Sequence, residues 1–301
     1  MIHLRAYAKI NLDLRIIGKR DDGYHEIQTL MQTIDLWDDL KIQRSWRQGI
    51  QLRCVGLKGV PAGAENLAYR AADALLSSSI PNAGVTITIH KRIPMGAGLG
   101  GGSSDAAAVL RGINQLMKLR LSSHRLSSIA SKLGSDIPYF LHGGLCAAFG
   151  RGISVRPIRA TRRVPILLVI PFLHISTAEA YRWYAERRTG KSSSPIESNS
   201  RYLRKMEFAY RNGLWSSMKN ELEAEALIHH SQLSAIKIML YKNGAVHTQM
   251  TGSGSCIYGI FDSIQSLRNA ANDVKHSGNK AKMIRFISRT AATSFAHKSF
   301  A

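Results

Sequence analysis

Residues 94–105 read Pro94-Met95-Gly96-Ala97-Gly98-Leu99-Gly100-Gly101-Gly102-Ser103-Ser104-Asp105. Five of the seven residues from Gly96 to Gly102 are glycine, so the backbone there can adopt positive φ and approach a ligand closely. The preceding residues 85–93 alternate apolar and polar side chains, which predicts a β-strand, and residues 103–118 are typical of a helix. A strand, a glycine loop and a helix N-terminus direct backbone N–H groups at one point, which predicts a phosphate site.

The glycine loop differs from the two common nucleotide-binding motifs. Gly96, Gly98 and Gly101 have the spacing of the dinucleotide fingerprint, but no acidic residue lies between Ala106 and Ser135 to hold a ribose hydroxyl. No Gly-Lys-Ser/Thr sequence closes the loop, as a Walker motif requires. The pattern therefore favours a nucleoside triphosphate site of a third kind, the alternative being a glycine-rich turn without a ligand.

Length and composition predict a globular protein of two domains. The chain has 301 residues, of which 45% are hydrophobic, enough to bury a substantial core. Its longest apolar run, residues 165–173, is far below the ~20 residues of a membrane-spanning helix, and no targeting segment is visible at the N-terminus. The cysteines Cys54, Cys146 and Cys256 lack Cys-x-x-Cys spacing, which favours a reducing, cytoplasmic location.

The net charge of +21 is strongly basic and favours anionic partners. However, the basic residues are dispersed, without a run of five like charges and without an RNA- or DNA-binding signature. We expect a solvated basic surface with small-molecule substrates, no membrane and no specific nucleic acid, incidental nucleic-acid affinity being the alternative. A monomer or weak homodimer is expected.

Periodic patterns predict the order of elements along the chain. Residues 8–16 alternate apolar and polar side chains, which predicts a strand with one buried and one polar face and places Lys9 and Asn11 on the same side. An arginine-rich segment at 156–163 precedes a buried-strand pattern, and we place the boundary between domains 1–158 and 159–301 there. Other predictions are strands at 25–36, 143–149, 164–170 and 282–288, a strand pair flanking 251–256, helices at 66–78, 123–133, 203–212, 216–228, 231–241 and 263–275, and a loop at 187–200.

Three blocks, in order, resemble the superfamily of galacto-, homoserine, mevalonate and phosphomevalonate kinases (GHMP kinases). They are residues 8–12 (AKINL), the glycine loop, and residues 251–255 (TGSGS), the last being a second backbone nest or only a β-turn. Residues 18–25 (GKRDDGYH) and 134–138 (GSDIP) resemble the branch whose acceptor is 4-diphosphocytidyl-2-C-methyl-D-erythritol. The resemblance implies an α+β, two-domain GHMP kinase fold, with an N-terminal ribosomal protein S5 domain 2-like domain and a C-terminal ferredoxin-like domain.

The resemblance also implies an activity, namely transfer of the ATP γ-phosphoryl group to the 2-hydroxyl of that acceptor, in the non-mevalonate route to isoprenoid precursors. ATP is then the co-substrate, and Mg²⁺ is expected. Residues 94–104 would wrap the ATP phosphates, with Asn66 beside the nucleoside. The implied substrate-binding residues are Asn11, Tyr24 and His25, the last two at the cytosine end, and, by a looser match, Thr177 and Tyr181 on the cytidine side.

The resemblance makes Asp136 the catalytic base and Lys9 the catalytic cation. A nearby carboxylate can accept the proton of the attacking alcohol, and an ammonium group keeps that carboxylate ionised. Each residue also has an alternative, purely structural interpretation: Asp136 as a helix N-cap, and Lys9 as an exposed lysine on a strand. The magnesium ligands stay open, Ser103 and Ser104 being possible, whereas Asp105 also fits an acid that complements the helix dipole.

Two other functions stay open at this point. One is a GHMP kinase for another alcohol, such as homoserine or mevalonate, against which the block at 18–25 argues. The other is a catalytically inactive nucleotide sensor or nucleic-acid binder, against which the presence of both Lys9 and Asp136 argues.

Overall fold

The structure, a computed structural model, describes residues 1–187 and 197–294 of the chain. Its strands form two sheets partly covered by helices, so the predicted mixed α+β architecture is confirmed. The strands are β1 (Ile2–Lys19), β2 (His25–Ser45), β3 (Gly49–Val55), β4 (Gly84–His90), β5 (Leu145–Gly150), β6 (Ser154–Pro157), β7 (Ile166–Ile170), β8 (Ala245–Met250), β9 (Ile257–Phe261) and β10 (Lys280–Ile284).

Most predicted helices begin and end within a few residues of the observed ones. Within the described ranges no helix has the length and apolar character needed to cross a membrane. The predicted loop at 187–200 lies mostly outside the described residues. The helices are α1 (Leu67–Ser79), α2 (Gly101–Leu116), α3 (Ser123–Leu133), α4 (Ile137–His142), α5 (Thr177–Arg187), α6 (Asn199–Asn212), a 3₁₀ turn (Trp215–Ser217), α7 (Glu223–His229), α8 (Ser231–Lys242), α9 (Ile264–His276) and α10 (Arg289–Thr293).

The long strand β2 organises the first sheet. Its residues 25–42 pair antiparallel with β1, with three register shifts, while its other edge is shared by β5, at residues 27–32, and β4, at residues 39–45. β3 adds in parallel to β4, and β6 adds antiparallel to β5. Helix α2 packs closely on this sheet because Ala106, Ala107 and Ala108 are fully buried and small. This packing fixes the helix that follows the glycine loop.

The second sheet has the antiparallel order β10-β7-β9-β8, and helices α8 and α9 pack on it. Its core also contains Leu14 and Ile16 from the end of β1. A further cluster joins Ile10 and Leu12 to Leu168 and Tyr258 of the second sheet. Strand β1 is therefore packed against both halves of the chain, and the division into domains 1–158 and 159–301 stays a prediction.

Strand β1 does not have the solvent-facing polar side that its alternation predicts. Lys9, Asn11 and Asp13 are no more than 4% exposed. Residues of the second half cover this side and satisfy its polar groups, with Tyr202 donating to the Asp13 carboxylate at 2.9 Å. The prediction was wrong because a second layer covers the polar face, which alternation within one strand cannot reveal.

The helix predicted at 216–228 is confirmed from residue 223 onward and is wrong before it. A 3₁₀ turn ends at Ser217, and α7 begins only at Glu223. Between them the backbone pairs with β1, since Leu14 N–H donates to the Lys219 carbonyl at 2.7 Å and Glu221 N–H donates to the Leu14 carbonyl at 2.9 Å. These tertiary hydrogen bonds replace the helical ones, so local propensity is overridden.

Candidate active site

The glycine loop has the backbone conformation that only glycine adopts easily. Gly96, Gly98 and Gly100 have φ of +60°, +73° and +71°. A Cβ atom on Gly98 would lie 2.0 Å from the carbonyl oxygen of Thr251, so a side chain does not fit there. Gly100 is the N-cap of α2, which begins at Gly101, so the positive end of the helix dipole faces the same cleft as the loop.

Lys9 lies directly under this loop. Its backbone N–H donates to the Leu99 carbonyl at 3.0 Å, and its ammonium donates to Asn11 Oδ1 at 2.6 Å and to the Gly98 carbonyl at 2.8 Å. The Asp136 carboxylate lies 3.7 Å from the Lys9 Nζ atom. Burial lowers the pKa of Lys9, and Asp136 partly offsets this. The exposed-lysine alternative therefore does not describe this side chain, which is 4% exposed.

Asp136 precedes α4 but does not cap it with its side chain. The residue occupies the N-cap position in an αR conformation, and its carboxylate makes no capping hydrogen bond. The carboxylate is instead 39% exposed, lines the cleft and faces the Lys9 ammonium. The N-cap alternative therefore does not account for this carboxylate, which is accessible to a substrate hydroxyl.

A cleft of about 590 Å³ joins the predicted groups from both halves of the chain. Strand β1 contributes Lys9 and Asn11, and the first half also contributes the glycine loop and Asp136. The second half contributes the beginning of α5 and the loop after β8. The residues of the second half that line the cleft are His174, Ile175, Ser176, Thr177, Tyr181, Leu222, Gly252 and Ser253.

Asn11 uses its side chain within the protein. Its Oδ1 atom accepts from Lys9, and its Nδ2 atom donates to Thr29 Oγ1 at 2.8 Å. The amide therefore holds the lysine in place, although Asn11 also lines the cleft. Its predicted contact with substrate stays a prediction.

Of the residues predicted for the cytidine end, Thr177 and Tyr181 line the cleft, whereas Tyr24 and His25 are not among its lining residues. The His25 ring stacks on Tyr181 with 4.8 Å between ring centroids and 25° between planes. Burial and the neighbouring Lys19 lower the pKa of His25, so its imidazole is neutral at pH 7. Tyr24 is 51% exposed with the Arg151 guanidinium 5.2 Å above its ring. Aromatic faces and a neutral imidazole can together stack on and hydrogen-bond a base.

Two predicted ATP residues have their side chains committed elsewhere. Asn66 is the N-cap of α1, with Oδ1 accepting from Ala68 N–H at 2.8 Å and Nδ2 donating to the Pro61 carbonyl at 2.7 Å. It is not among the residues that line the cleft. Ser104 is 3% exposed and donates to the Tyr7 carbonyl at 2.7 Å. The nucleoside contact of Asn66 stays a prediction.

Asp105 is not the exposed first-turn acid that its position suggested. It is buried and accepts from Lys91 Nζ at 2.6 Å, and the same ammonium donates to Asp38 at 2.5 Å. Asp38 also accepts from the backbone N–H groups of Arg92 and Ile93, where the glycine loop begins. Sequence reasoning missed this cluster because no local pattern relates β2 to the loop. The only available signal was a lysine at the end of the predicted strand.

The TGSGS block lies at the cleft rather than in a remote turn. Thr251 Oγ1 accepts from Asn11 N–H at 2.9 Å and donates to the Gly98 carbonyl at 3.3 Å. The Ser253 and Thr177 hydroxyls are 3.1 Å apart. This third block therefore contacts both other blocks on which the family resemblance rests.

No group of three or more His, Cys, Asp or Glu side chains in residues 1–187 and 197–294 is arranged to hold a metal ion. Ser103 lines the cleft, whereas Asp105 is committed to Lys91. Magnesium in phosphoryl-transfer sites keeps several waters and is held largely by phosphate oxygens. The residues present therefore fit a metal that arrives with the nucleotide.

Family models identify the class of protein that this fold and site define. The model "GHMP kinases N terminal domain" matches residues 66–144, and the model "GHMP kinases C terminal" matches residues 203–280. A homoserine kinase structure from Cytophaga hutchinsonii superposes with a TM-score of 0.70 at 16% identity, covering 96% of this chain and 95% of that one, which supports the fold alone. The predicted GHMP kinase fold is confirmed.

More similar proteins define the branch. The 4-diphosphocytidyl-2-C-methyl-D-erythritol kinase of Citrifermentans bemidjiense is 40% identical over 273 residues, covering 91% of this chain and 94% of that protein. The kinase of the same name from Synechococcus sp. (strain JA-3-3Ab) is 39% identical, covering 91% and 89%. A crystal structure of a 4-(cytidine 5'-diphospho)-2C-methyl-D-erythritol kinase superposes with a TM-score of 0.77 at 32% identity, covering 95% and 99%. The chain belongs to the 4-diphosphocytidyl-2-C-methyl-D-erythritol kinase family.

Proposed function

We propose that this chain transfers the γ-phosphoryl group of ATP to the 2-hydroxyl of 4-diphosphocytidyl-2-C-methyl-D-erythritol, giving the 2-phosphate and ADP. This reaction belongs to the methylerythritol phosphate route to isoprenoid precursors. The observation that carries the proposal is the meeting of Lys9 and Asp136, 3.7 Å apart, in the cleft beneath the glycine loop. Membership of the kinase family supports it.

Backbone groups of the glycine loop and the first turn of α2 bind the ATP phosphates in this proposal. Their N–H groups are held in place before substrate arrives, so they stabilise the charge of the loose transition state without reorganising. The loop is held from outside by Thr251, which donates to the Gly98 carbonyl, and by Lys9, whose backbone N–H donates to the Leu99 carbonyl. Phosphate binding and the position of Lys9 are therefore coupled.

Asp136 accepts the proton of the acceptor 2-hydroxyl as its oxygen bonds to the γ-phosphorus. The bond from that phosphorus to the bridging oxygen breaks, and the electron pair leaves with ADP. The Lys9 ammonium, held by Asn11 and the Gly98 carbonyl, stabilises the charge shared between the hydroxyl and the phosphoryl group. General-base assistance of this kind is worth ~10²–10⁴ in rate.

Magnesium is proposed to accompany ATP and to neutralise charge on the phosphates when bound. Among the two serines considered, Ser103 lines the cleft, whereas the Ser104 hydroxyl donates to the Tyr7 carbonyl. Of these two serines, Ser103 is therefore the one that would hold the metal. A cytoplasmic location and a monomeric or weakly dimeric state stay predictions, as does the absence of a specific nucleic-acid partner.

The acceptor is proposed to place its cytosine near Tyr24, His25 and Tyr181, with Thr177 at the edge of the same side. The stacked His25–Tyr181 pair supports this placement. A neutral imidazole and a phenol present hydrogen-bonding groups beside aromatic faces, which suits a pyrimidine better than a small aliphatic acid.

A coupled assay of ADP release with a panel of acceptors tests the proposal. We expect turnover with 4-diphosphocytidyl-methylerythritol and background rates with mevalonate and homoserine. Turnover with either aliphatic acid and none with the cytidyl substrate would overturn the acceptor assignment. Tight, salt-dependent RNA or DNA binding without ATP turnover would overturn the kinase assignment altogether.

A further inference from the structure

Residues 218–222, which the sequence predicted as helix, form hydrogen bonds both with β1 and with the loop after β8. We call residues 251–255 the capping loop, because this TGSGS segment covers Lys9. Asn220 forms a parallel bridge with Leu14, and the neighbouring backbone groups of Lys219 and Glu221 hydrogen-bond to Leu14. Departures from local propensity are expected where a chain serves its functional site. The segment pairs with β1 at Leu14, three residues beyond Asn11.

The Asn220 side chain is buried and fully hydrogen-bonded to backbone groups. It is 5% exposed, and its Nδ2 atom donates to the Met250 carbonyl at 2.9 Å and to the Gly252 carbonyl at 2.7 Å. Its Oδ1 atom accepts from Leu222 N–H at 3.0 Å. Because both partners of the amide nitrogen are carbonyl oxygens, only a side chain with two donors satisfies this position.

The other side of the capping loop lies next to the Lys9 ammonium, with room for glycine but not for a side chain at position 252. Gly252 has φ of +58°, and a Cβ atom there would lie 3.2 Å from Lys9 Nζ and 3.3 Å from Asn11 Oδ1. The ammonium already donates to Asn11 and Gly98, so its third N–H is the one left for Asp136 and substrate. A displaced capping loop would bring position 252 into the space beside that ammonium.

We propose that Asn220 is a positioning residue for phosphoryl transfer. By holding the Met250 and Gly252 carbonyls, it fixes the capping loop against Lys9 and so directs the ammonium towards Asp136 and the transferred group. Asn220 does not touch substrate in this account and acts through Lys9. The inference rests on the proposed function, because it assigns Lys9 a role in the reaction.

Replacement by aspartate gives the sharpest test. Asn220→Asp keeps the shape but sets carboxylate oxygens against two carbonyl oxygens, so the Met250 and Gly252 carbonyls lose the amide that donates to both. We expect kcat to fall roughly ten- to hundredfold, as an unsatisfied buried group would cause, with the KM for ATP changed by less than about threefold. Asn212→Asp is the matched control, because Asn212 donates to the Phe208 carbonyl at an exposed helix end and should change neither constant.

A double-mutant cycle separates positioning from a general structural role. In a Lys9→Met background, Asn220→Asp should change the residual rate by less than about twofold, because the group through which it acts is gone. An equal loss in both backgrounds overturns the proposal, as does a fall in ATP affinity that accounts for the whole effect. If Asn220→Asp does not fold by circular dichroism, Asn220→Ala takes its place with the same readouts.

The outcomes distinguish a failure of the proposed function from a failure of the positioning role of Asn220. A wild-type enzyme that is inactive on the cytidyl substrate overturns the proposed function and this inference together. A wild-type enzyme that is active, with Asn220→Asp and Asn220→Ala equally active, overturns the positioning role alone. Failure of both variants to fold also overturns it, since Asn220 would then be required for folding instead.

Discussion

Two buried lysines flank the glycine loop, and their surroundings are opposite. Lys9 donates to two neutral oxygens and faces one half-exposed carboxylate at 3.7 Å. Lys91 donates to two buried carboxylates at 2.5 and 2.6 Å. Burial lowers the pKa of Lys9 despite Asp136. Burial also acts to lower the pKa of Lys91, but Asp105 and Asp38 outweigh it, so that pKa is raised.

The difference separates a charge available for chemistry from one used for structure. The Lys9 ammonium is incompletely compensated, so an incoming phosphoryl group improves its surroundings. Lys91 is compensated already and joins residues before the glycine loop to α2 after it. Both side chains line the cleft, so position in the cleft alone does not distinguish them. The hydrogen-bond partners of each ammonium group distinguish the two lysines.

Removing the uncompensated charge should have the largest effect on turnover. Lys9→Met is expected to lower kcat by about 10²–10³, because one preorganised donor to the transition state is lost. Folding should lose less than in Lys91→Met, because the Asn11 and Gly98 oxygens lose a donor, at about 1–3 kcal/mol, while a buried ammonium is removed without stranding a buried carboxylate. Steady-state ADP release and urea unfolding measure the two effects. A variant that unfolds at much lower urea but turns over normally when folded would reverse the comparison.

Removing the compensated charge should act on stability instead. Lys91→Met leaves Asp38 and Asp105 buried without their cation, which costs about 3–5 kcal/mol when one partner of a buried ion pair is removed. Burial raises the pKa of Asp105, so part of this cost is relieved by protonation. Urea unfolding at pH 7 gives the value. A loss below about 1 kcal/mol would contradict the structural assignment of Lys91.

The two lysines should also differ in the pH dependence of turnover. Lys9 acts in its charged form, and the charged fraction falls as pH rises through its pKa. Because that pKa is lowered from 10.5 in the protein without substrate, kcat/KM should fall on an alkaline limb below this pH. Lys91, whose pKa is raised, stays charged over that range. Profiles of kcat/KM, measured at low acceptor concentration, should show the limb in wild type and not in Lys9→Met; a limb in both would exclude Lys9 as its source.

A surface ion pair next to Lys91 should have the smallest effect. Arg92 donates to Asp39 at 2.5 Å, as short as the buried contact, but the Arg92 side chain is 49% exposed. Solvent screens such a pair, so Arg92→Ala should cost at most about 1 kcal/mol in urea unfolding and leave kcat unchanged. If Arg92→Ala lowered the free energy of unfolding as much as Lys91→Met does, the distance of an ion pair, and not its burial, would set its contribution to stability.

The sequence predicted the parts of the site that lie within single blocks. The glycine loop has a local signature because backbone φ and close approach require particular residue types, as at Gly98. Lys9 and Asp136 were found through the family resemblance, and the structure places them in one cleft. Alternation also placed Lys9 and Asn11 on one face correctly, since their side chains are hydrogen-bonded.

The parts that sequence missed depend on contacts between distant segments. Burial of Asp13 and pairing of Lys91 with Asp38 arise from tertiary packing that leaves no periodic trace. The segment around Asn220 has helix-forming neighbours, yet its backbone bonds to β1. Asn66 was predicted to contact the nucleoside, but in the structure its side chain caps helix α1. Local patterns predict elements, whereas the partners of buried polar groups require the fold.

The central claim is that Asp136 accepts the acceptor proton while Lys9 holds the adjacent charge. Single-turnover phosphoryl transfer by Asp136→Asn, with ATP affinity measured by equilibrium titration, tests it most directly. The account predicts unchanged ATP binding and a rate reduced by about 10²-fold or more. A single-turnover rate close to that of wild type would contradict it.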